Sequence, residues 1–226
     1  MAGSFTRTCI LEVERKFRPL NARELVFNNV YESRKPSIRY HGVKTLSDAY
    51  YDRSKLLSSA GIWVRERNER WQAKVKHGGS FNHSKFEDLT EPRDIAERVG
   101  KVLGEEVSAD DKFGLGCIAQ FTTIRHTYLA NDEFKIVLDT THFFHSVGEV
   151  ELQKKFKFTA TTEQDLALQK QNAMEDMDQR IAKFMDRYSW TFSQGEAKGK
   201  LTAWFEKEAR QAKISADYIR QHSSNA

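Results

Sequence analysis

The chain has 226 residues, 39% of them hydrophobic and 12% aromatic, which is enough for one large core and excludes disorder throughout. Its 36 basic and 32 acidic residues leave a net charge of +4, too slight an excess to mark a nucleic-acid surface by itself. Cys9 and Cys117 lack C-x-x-C spacing and lie in apolar surroundings, which argues against a zinc or disulfide framework and predicts two buried thiols.

Taken in chain order, Cys9 to Phe17 alternates as a strand, with Leu11, Val13 and Phe17 on one side and Glu12, Glu14 and Lys16 on the other. Asn21 followed by Glu24 has the spacing of a capping box and predicts a short helix. Ser33 to Thr45, rich in Arg, Lys, His and Tyr, reads as loop, followed by a short β segment at Asp48 to Asp52. Gly61 to Arg67 and Trp71 to Lys76 alternate again, with Trp63, Arg65 and Arg67 on one parity of the first, and Lys74 and Lys76 on one parity of the second. Further β segments are expected at Lys85 to Leu89, Ile118 to Tyr128, Phe134 to Asp139 and Val147 to Phe158; the last places Glu149, Glu151, Gln153, Lys155 and Lys157 on one face. Helices are predicted from Glu91-Pro92 to near Gly104, from Thr162 through a stripe of Leu166, Met174, Met177, Ile181 and Phe184, and from Lys200 to Ile219. The expected organisation is one domain over 1–226, with 206–226 a C-terminal helix and a polar tail frayed from Gln221.

Any one alternating strand describes a half-buried sheet with its charged face in water. Compared with one another, however, these strands sort their charges by sign: acids at Glu12/Glu14 and Glu149/Glu151, bases at Arg65/Arg67 and Lys74/Lys76. If such faces turn inward in a closed barrel, like charges two residues apart require a counter-charge. A metal ion answers the acids, and carboxylate oxygens without clustered His or Cys suit Mg²⁺ or Mn²⁺. A phosphate chain answers the bases. No Gly-rich phosphate loop is found.

The opening strand, Ile10-Leu11-Glu12-Val13-Glu14-Arg15-Lys16-Phe17, resembles that of the CYTH superfamily, the triphosphate tunnel metalloenzymes, and is especially similar to thiamine triphosphatases. The resemblance continues through Asp48-Ala49-Tyr50-Tyr51-Asp52, Trp63-Val64-Arg65-Glu66-Arg67, Trp71-Gln72-Ala73-Lys74, Asp88-Leu89-Thr90, Arg125, Val147-Gly148-Glu149-Val150-Glu151 and Lys200-Leu201, from about residue 10 to 205. It implies an α+β fold, a closed antiparallel β-barrel with flanking α-helices, and metal-dependent hydrolysis of thiamine triphosphate to thiamine diphosphate and phosphate. By the same resemblance Glu12, Glu14, Glu149 and Glu151 hold the metal, with Asp88 a further acid in the tunnel and Lys16 beside the metal. Arg65, Arg67, Lys74, Arg125 and Lys200 grip the triphosphate, Tyr50 and Lys74 activate the attacking water, and Trp63 stacks on the thiamine.

One position departs from the family pattern: Val137-Leu138-Asp139 stands where animal thiamine triphosphatases carry Asp-x-Asp. Asp139 then reads either as an acid behind the metal ligands or as a strand-end turn residue. Tyr50 and Trp63 have packing readings beside their functional ones. Hydrolysis of inorganic tripolyphosphate is the alternative within the fold, and a non-catalytic polyphosphate or nucleotide sensor the alternative outside it. The expected partner is a small-molecule triphosphate; a cytoplasmic monomer that binds neither nucleic acid nor membrane completes the expectation.

Overall fold

The alternating segments become eight antiparallel strands in the computed structural model, whose described residues are 3–19, 36–192 and 197–223. The strands are β1 (Phe5–Phe17), β2 (Ile38–Asp52), β3 (Ile62–Arg67), β4 (Arg70–Gly79), β5 (His83–Leu89), β6 (Gly116–Ala130), β7 (Phe134–Thr141) and β8 (Ser146–Ala160). They close into a barrel in the order β1-β5-β4-β3-β2-β6-β7-β8. The ring is completed by β1, which pairs with β5 through Glu12↔Phe86 and with β8 through Glu14↔Glu151. Closure pairs every strand on both sides, so the sheet has no free edge.

The apolar parity of most strands faces outward and is covered by helices α1 (Leu56–Ser59), α2 (Pro92–Leu103) and α3 (Glu163–Arg187) together with a 3-10 segment at Ala109–Gly114; in β6, by contrast, Ala119 and Phe121 share the inward parity and Ile118 and Ile124 are exposed on the outer one. Leu11, Val13, Phe17, Ile136, Val150 and Leu152 pack under Leu166, Met174, Met177, Ile181 and Phe184 of α3. Fully burying side chains of this kind stabilises by about 1.5–3 kcal/mol each. Helix α3 starts where Thr162 Oγ1 accepts a hydrogen bond from the Asp165 backbone N–H at 3.0 Å, a cap worth about 1 kcal/mol. A second core joins Tyr51, Leu57, Ile62, Val64, Ala73 and Val75 to Ile95 and Val99 of α2 and to Phe113. Pro92 opens α2 and Gly104, at φ 75°, closes it. With these two cores outside, the barrel interior is left to the charged parity and to a small cluster of Tyr50, Ala119 and Phe121 packed against Leu201 and Trp204.

Phe17 is pressed against β8 at Gly148, where an added Cβ would lie 2.3–2.8 Å from its ring carbons. Gly148→Ala is expected to lower the unfolding free energy by about 1–3 kcal/mol through overpacking, measured by urea denaturation; a loss under about 0.5 kcal/mol would show that the ring can move aside.

Four expectations are revised. Ile38 to Thr45 is strand rather than loop, because its main chain pairs along β6 from Ile38↔Ala130 onward, with a bulge at Gly42; both its faces are exposed, which removes the alternation that would announce it. Asp48–Asp52 and Ile118–Tyr128 are parts of these two 15-residue strands. Cys117 is exposed at the start of β6, whereas Cys9 is buried under α3. Helix α4 (Lys200–Ser223) runs past Gln221. The capping-box helix at Asn21 lies outside the described residues. No described helix is long and apolar enough to cross a membrane.

Candidate active site

The inward parities enclose a cavity of about 510 Å³ lined by residues of all eight strands and the start of α4. Its charge is largely divided between two walls, with Lys16 of β1 and Lys135 of β7 set among the acids. Adjacent strands β8, β1 and β5 contribute Glu149, Glu151, Glu12, Glu14 and Asp88, while β4, β3 and β6 contribute Lys74, Arg65, Arg67 and Arg125. Lys200, at the first turn of α4, reaches in from one mouth, and its Nζ hydrogen-bonds Asp139 and lies 4.0 Å from Glu149. Helix α4 is seated by Trp204, whose ring lies 5.7 Å from Phe121 and 5.5 Å from Phe143.

Ion pairs between strands hold both walls. Lys74 Nζ lies 2.6 Å from Glu12 and 3.0 Å from Glu14, and Glu14 also bonds Lys16. Arg125 makes a two-pronged contact with Asp139, 2.7 Å at each prong, and lies 3.6 Å from Glu149 and 3.7 Å from Glu151. Arg67 grips Asp48 in the same way, at 2.6 and 2.7 Å. Arg65 differs: its Nε donates to Gln72 at 3.0 Å and its Nη1 to the Tyr50 hydroxyl at 3.5 Å, and among the described residues no carboxylate is within ion-pair distance of it. Its guanidinium thus has capacity left for an incoming anion.

Burial pushes all of these acids up, and neighbours decide the outcome. Lys74 and Lys16 bring Glu14 down, and Lys200, Lys16 and Arg125 hold Glu149 well below the ordinary range. Glu12 and Glu151 stay raised: burial acts on both, Asp88 and Glu14 add to it at Glu12, and Glu12 and Glu149 add to it at Glu151. Lys74 is held as an ammonium by Glu12, Glu14 and Asp88, despite burial, so it acts here as a donor and a positive charge.

Those raised carboxyls bear on the metal question. Among the described residues no three acids, imidazoles or thiols converge on one point, since the tunnel acids are turned toward Lys and Arg. The donor chemistry nevertheless fits a hard divalent cation: four buried glutamates supply oxygens, and Glu12 and Glu151 are raised by burial and by neighbouring acids.

The sequence-derived residues Glu12, Glu14, Lys16, Tyr50, Trp63, Arg65, Arg67, Lys74, Asp88, Arg125, Glu149, Glu151 and Lys200 all line this one cavity. Asp139 lies behind it, fully buried in the grip of Arg125 and Lys200, which decides against a strand-end turn residue. Val137 faces Glu149 across the β7–β8 ladder and is fully buried, so a methyl surface stands where the resemblance implied an acid. Tyr50 stacks on Phe121 at 5.6 Å, and Trp63 meets Phe86 edge-on at 5.8 Å. Sequence reasoning missed Lys135, 2.5 Å from Glu151, and Asp48, the partner of Arg67. Register gives the signal for the first, because Lys135 stands opposite Glu151.

A second cavity, of about 530 Å³, adjoins the tunnel at the α4 mouth. It shares Tyr50, Trp63 and Leu201 with the tunnel and adds Tyr51, Ile118 and Phe205. Its wall is mainly aromatic and apolar, unlike that of the tunnel.

No protein-family profile matches the chain, and no curated protein matches it. Solved structures do. The PH1819 protein of Pyrococcus horikoshii OT3 aligns with a TM-score of 0.53 at 16% identity, covering 87% of this chain and 99% of that one. HpAC1 of Hippeastrum, an adenylyl cyclase candidate with a dominant triphosphatase activity, aligns at 0.47 and 14% identity, covering 88% and 96%. An adenylate cyclase candidate of Vibrio parahaemolyticus aligns at 0.44 and 17%, covering 82% and 94%. At this identity, what the chain shares with the Pyrococcus protein is the fold: the closed antiparallel barrel with flanking helices.

Proposed function

We propose that the chain hydrolyses the terminal phosphate of thiamine triphosphate, giving thiamine diphosphate and phosphate. The observation that carries this reading is the division of one tunnel into an acid wall and a base wall. The motif resemblance to thiamine triphosphatases supports it, and so does the aromatic cavity at the α4 mouth, which suits a flat organic head beside a triphosphate.

Glu12, Glu14, Glu149 and Glu151 would hold Mg²⁺ or Mn²⁺, which when bound neutralises phosphate oxygens and polarises the terminal phosphorus. Arg65 and, beside Glu149 and Glu151, Arg125 would spread positive charge over oxygens that gain electron density as the bond breaks. Lys74 and Lys200 donate to the same oxygens; both must exchange a carboxylate for a phosphate to do so. The Tyr50 hydroxyl, held by Arg65, lies at the mouth where the head enters and orients the chain. Water forms a bond to the terminal phosphorus while the bridging P–O bond breaks; the electron pair leaves with the diphosphate, and one water proton is released with the phosphate or to solvent.

The test is phosphate release from thiamine triphosphate, inorganic tripolyphosphate and ATP, with Mg²⁺ and with chelator. Thiamine triphosphate is expected to be preferred and chelator to abolish release. Preference for tripolyphosphate would discard the organic head, and binding without release in Mg²⁺ would make the chain a sensor. Glu149→Gln is expected to cut kcat/KM by about 10²–10³, the scale of removing one group that stabilises developing charge; full metal-dependent turnover by this variant would sink the mechanism. Trp63→Ala should raise KM for thiamine triphosphate about tenfold, matching the loss of one stacking contact, with tripolyphosphate changed by less than about twofold.

A further inference from the structure

The tunnel has a second mouth. Lys16 of β1 lies beside Gly199 and Phe81 at the α4 end, whereas Ile10 of the same strand lines the cavity about 20 Å further along. Around Ile10 the lining is Thr90, Lys135 and Gln153; Thr90 and Gln153 are exposed, so the cavity meets solvent at that end too.

Strand β8 changes sign as it passes this mouth. Glu149, Glu151 and Gln153 line the tunnel, and the next two residues of the same parity, Lys155 and Lys157, register with Ile10 and Thr8 of β1 and are exposed. Across the barrel Lys44 registers with Arg125, shares its inward face and is also exposed. No acid pairs with Lys44, Lys155 or Lys157 among the described residues, in contrast to Lys135, Lys74 and Lys16 inside, each of which is held by a glutamate. An anion between the walls therefore finds most of the tunnel's cations committed, Arg65 and Lys76 excepted, and three uncommitted ones just outside its second mouth.

We propose that this second mouth is a port for inorganic phosphate, with Lys44, Lys155 and Lys157 as its collar. The inference rests on the hydrolase reading. If an organic head occupies the aromatic cavity beside α4, its terminal phosphoryl group lies deeper, toward Ile10, and the head blocks the way back. The freed phosphate then leaves past Gln153 toward the three lysines. The same chemistry serves a second source, the distal phosphates of a longer inorganic chain threaded through the barrel.

The experiment is calorimetric titration of the full chain, and of Lys155→Glu/Lys157→Glu, with orthophosphate and, separately, with thiamine diphosphate. Both changes sit on exposed strand positions and leave the tunnel residues in place. Orthophosphate affinity is expected to fall about tenfold in the variant and product inhibition by phosphate to weaken by the same factor, while thiamine diphosphate affinity changes by less than about twofold. Lys44→Glu, on a different strand, should shift the two ligands in the same sense. Equal weakening of both ligands would reveal a general surface field, and no weakening of orthophosphate an unused collar; either overturns the port. Titration with tripolyphosphate and with long-chain polyphosphate separates the sources: tighter binding of the long chain that is lost in the variant assigns the collar to chain ends, and equal binding assigns it to the leaving ion. Failure of the unaltered chain to hydrolyse any triphosphate would remove the hydrolase reading, while the orthophosphate titration would still judge the port.

Discussion

Arg125→Ala is expected to lower the unfolding free energy by about 3–5 kcal/mol, the scale of removing one partner from a buried ion pair, and to abolish phosphate release. Asp139 is fully buried and takes both prongs of the guanidinium, and Glu149 and Glu151 stand within 3.7 Å of the same group. The truncation therefore leaves Asp139 to Lys200 alone and removes positive charge from both glutamates. Arg125→Lys should recover part of the stability but little of the activity, because an ammonium restores charge without the planar two-pronged geometry. Urea unfolding followed by linear extrapolation reads the first effect. A loss below about 1 kcal/mol would show that Lys200 alone can satisfy Asp139.

A second large effect is expected outside the barrel. Glu87 is buried between β5 and α3, where its Oε1 accepts from Lys170 Nζ at 2.9 Å, its Oε2 is 3.1 Å from His77 Nε2, and Arg98 of α2 lies 3.7 Å away. Against the upward push of burial, the bonds to His77 and Lys170 hold this carboxyl far below the ordinary glutamate value. The unfolded chain thus takes up a proton at this site first as pH falls. The stabilisation is complete above the unfolded value of about 4.3 and is lost progressively below it, toward the depressed folded value. Glu87→Gln is expected to cost about 3–5 kcal/mol at neutral pH by stranding the Lys170 ammonium, and to flatten the decline of stability between about pH 5 and 3. Glu87→Gln/Lys170→Met should recover most of the loss, since the buried charge is gone. An unaltered acid limb in the single variant would sink the assignment.

Much of this arrangement was legible in the sequence because a barrel strand writes its two faces into alternate residues. Glu12, Glu14, Glu149 and Glu151 could be matched as one set, and Arg65, Arg67 and Lys74 as another, before their positions were known. Which face turns inward could not be read from one strand; the burial of Leu11, Val13 and Leu152 under α3 decides it. The first half of β2 was illegible for a physical reason: Arg39 to Thr45 has solvent on both faces or at a bulge, so no alternation marks it and only its ladder with β6 makes it strand. Lys135 carries no motif and Asp48 opens one that assigned it no role; the roles of both follow from register, opposite Glu151 and Arg67. Helix α1 is likewise a contact effect, held where the Asp52 carboxylate accepts from the backbone N–H groups of Leu57 and Ser58.

Barrel closure also sets an order of events during synthesis. The first strand to emerge, β1, finds one neighbour only when β5 has been made and the other only when β8 is complete, with Phe5 meeting Ala160. Contacts between such distant segments form slowly, because the intervening chain must be ordered before they are rewarded. Strands β2, β3 and β4 pair with near neighbours and bring Arg65, Arg67 and Lys74 together early, whereas Glu12 and Glu14 wait for Glu149 and Glu151. The tunnel is therefore assembled on a nascent chain still lacking Glu149 and Glu151, and a ribosome-bound fragment ending before β8 would expose Lys135, which the finished barrel holds against Glu151.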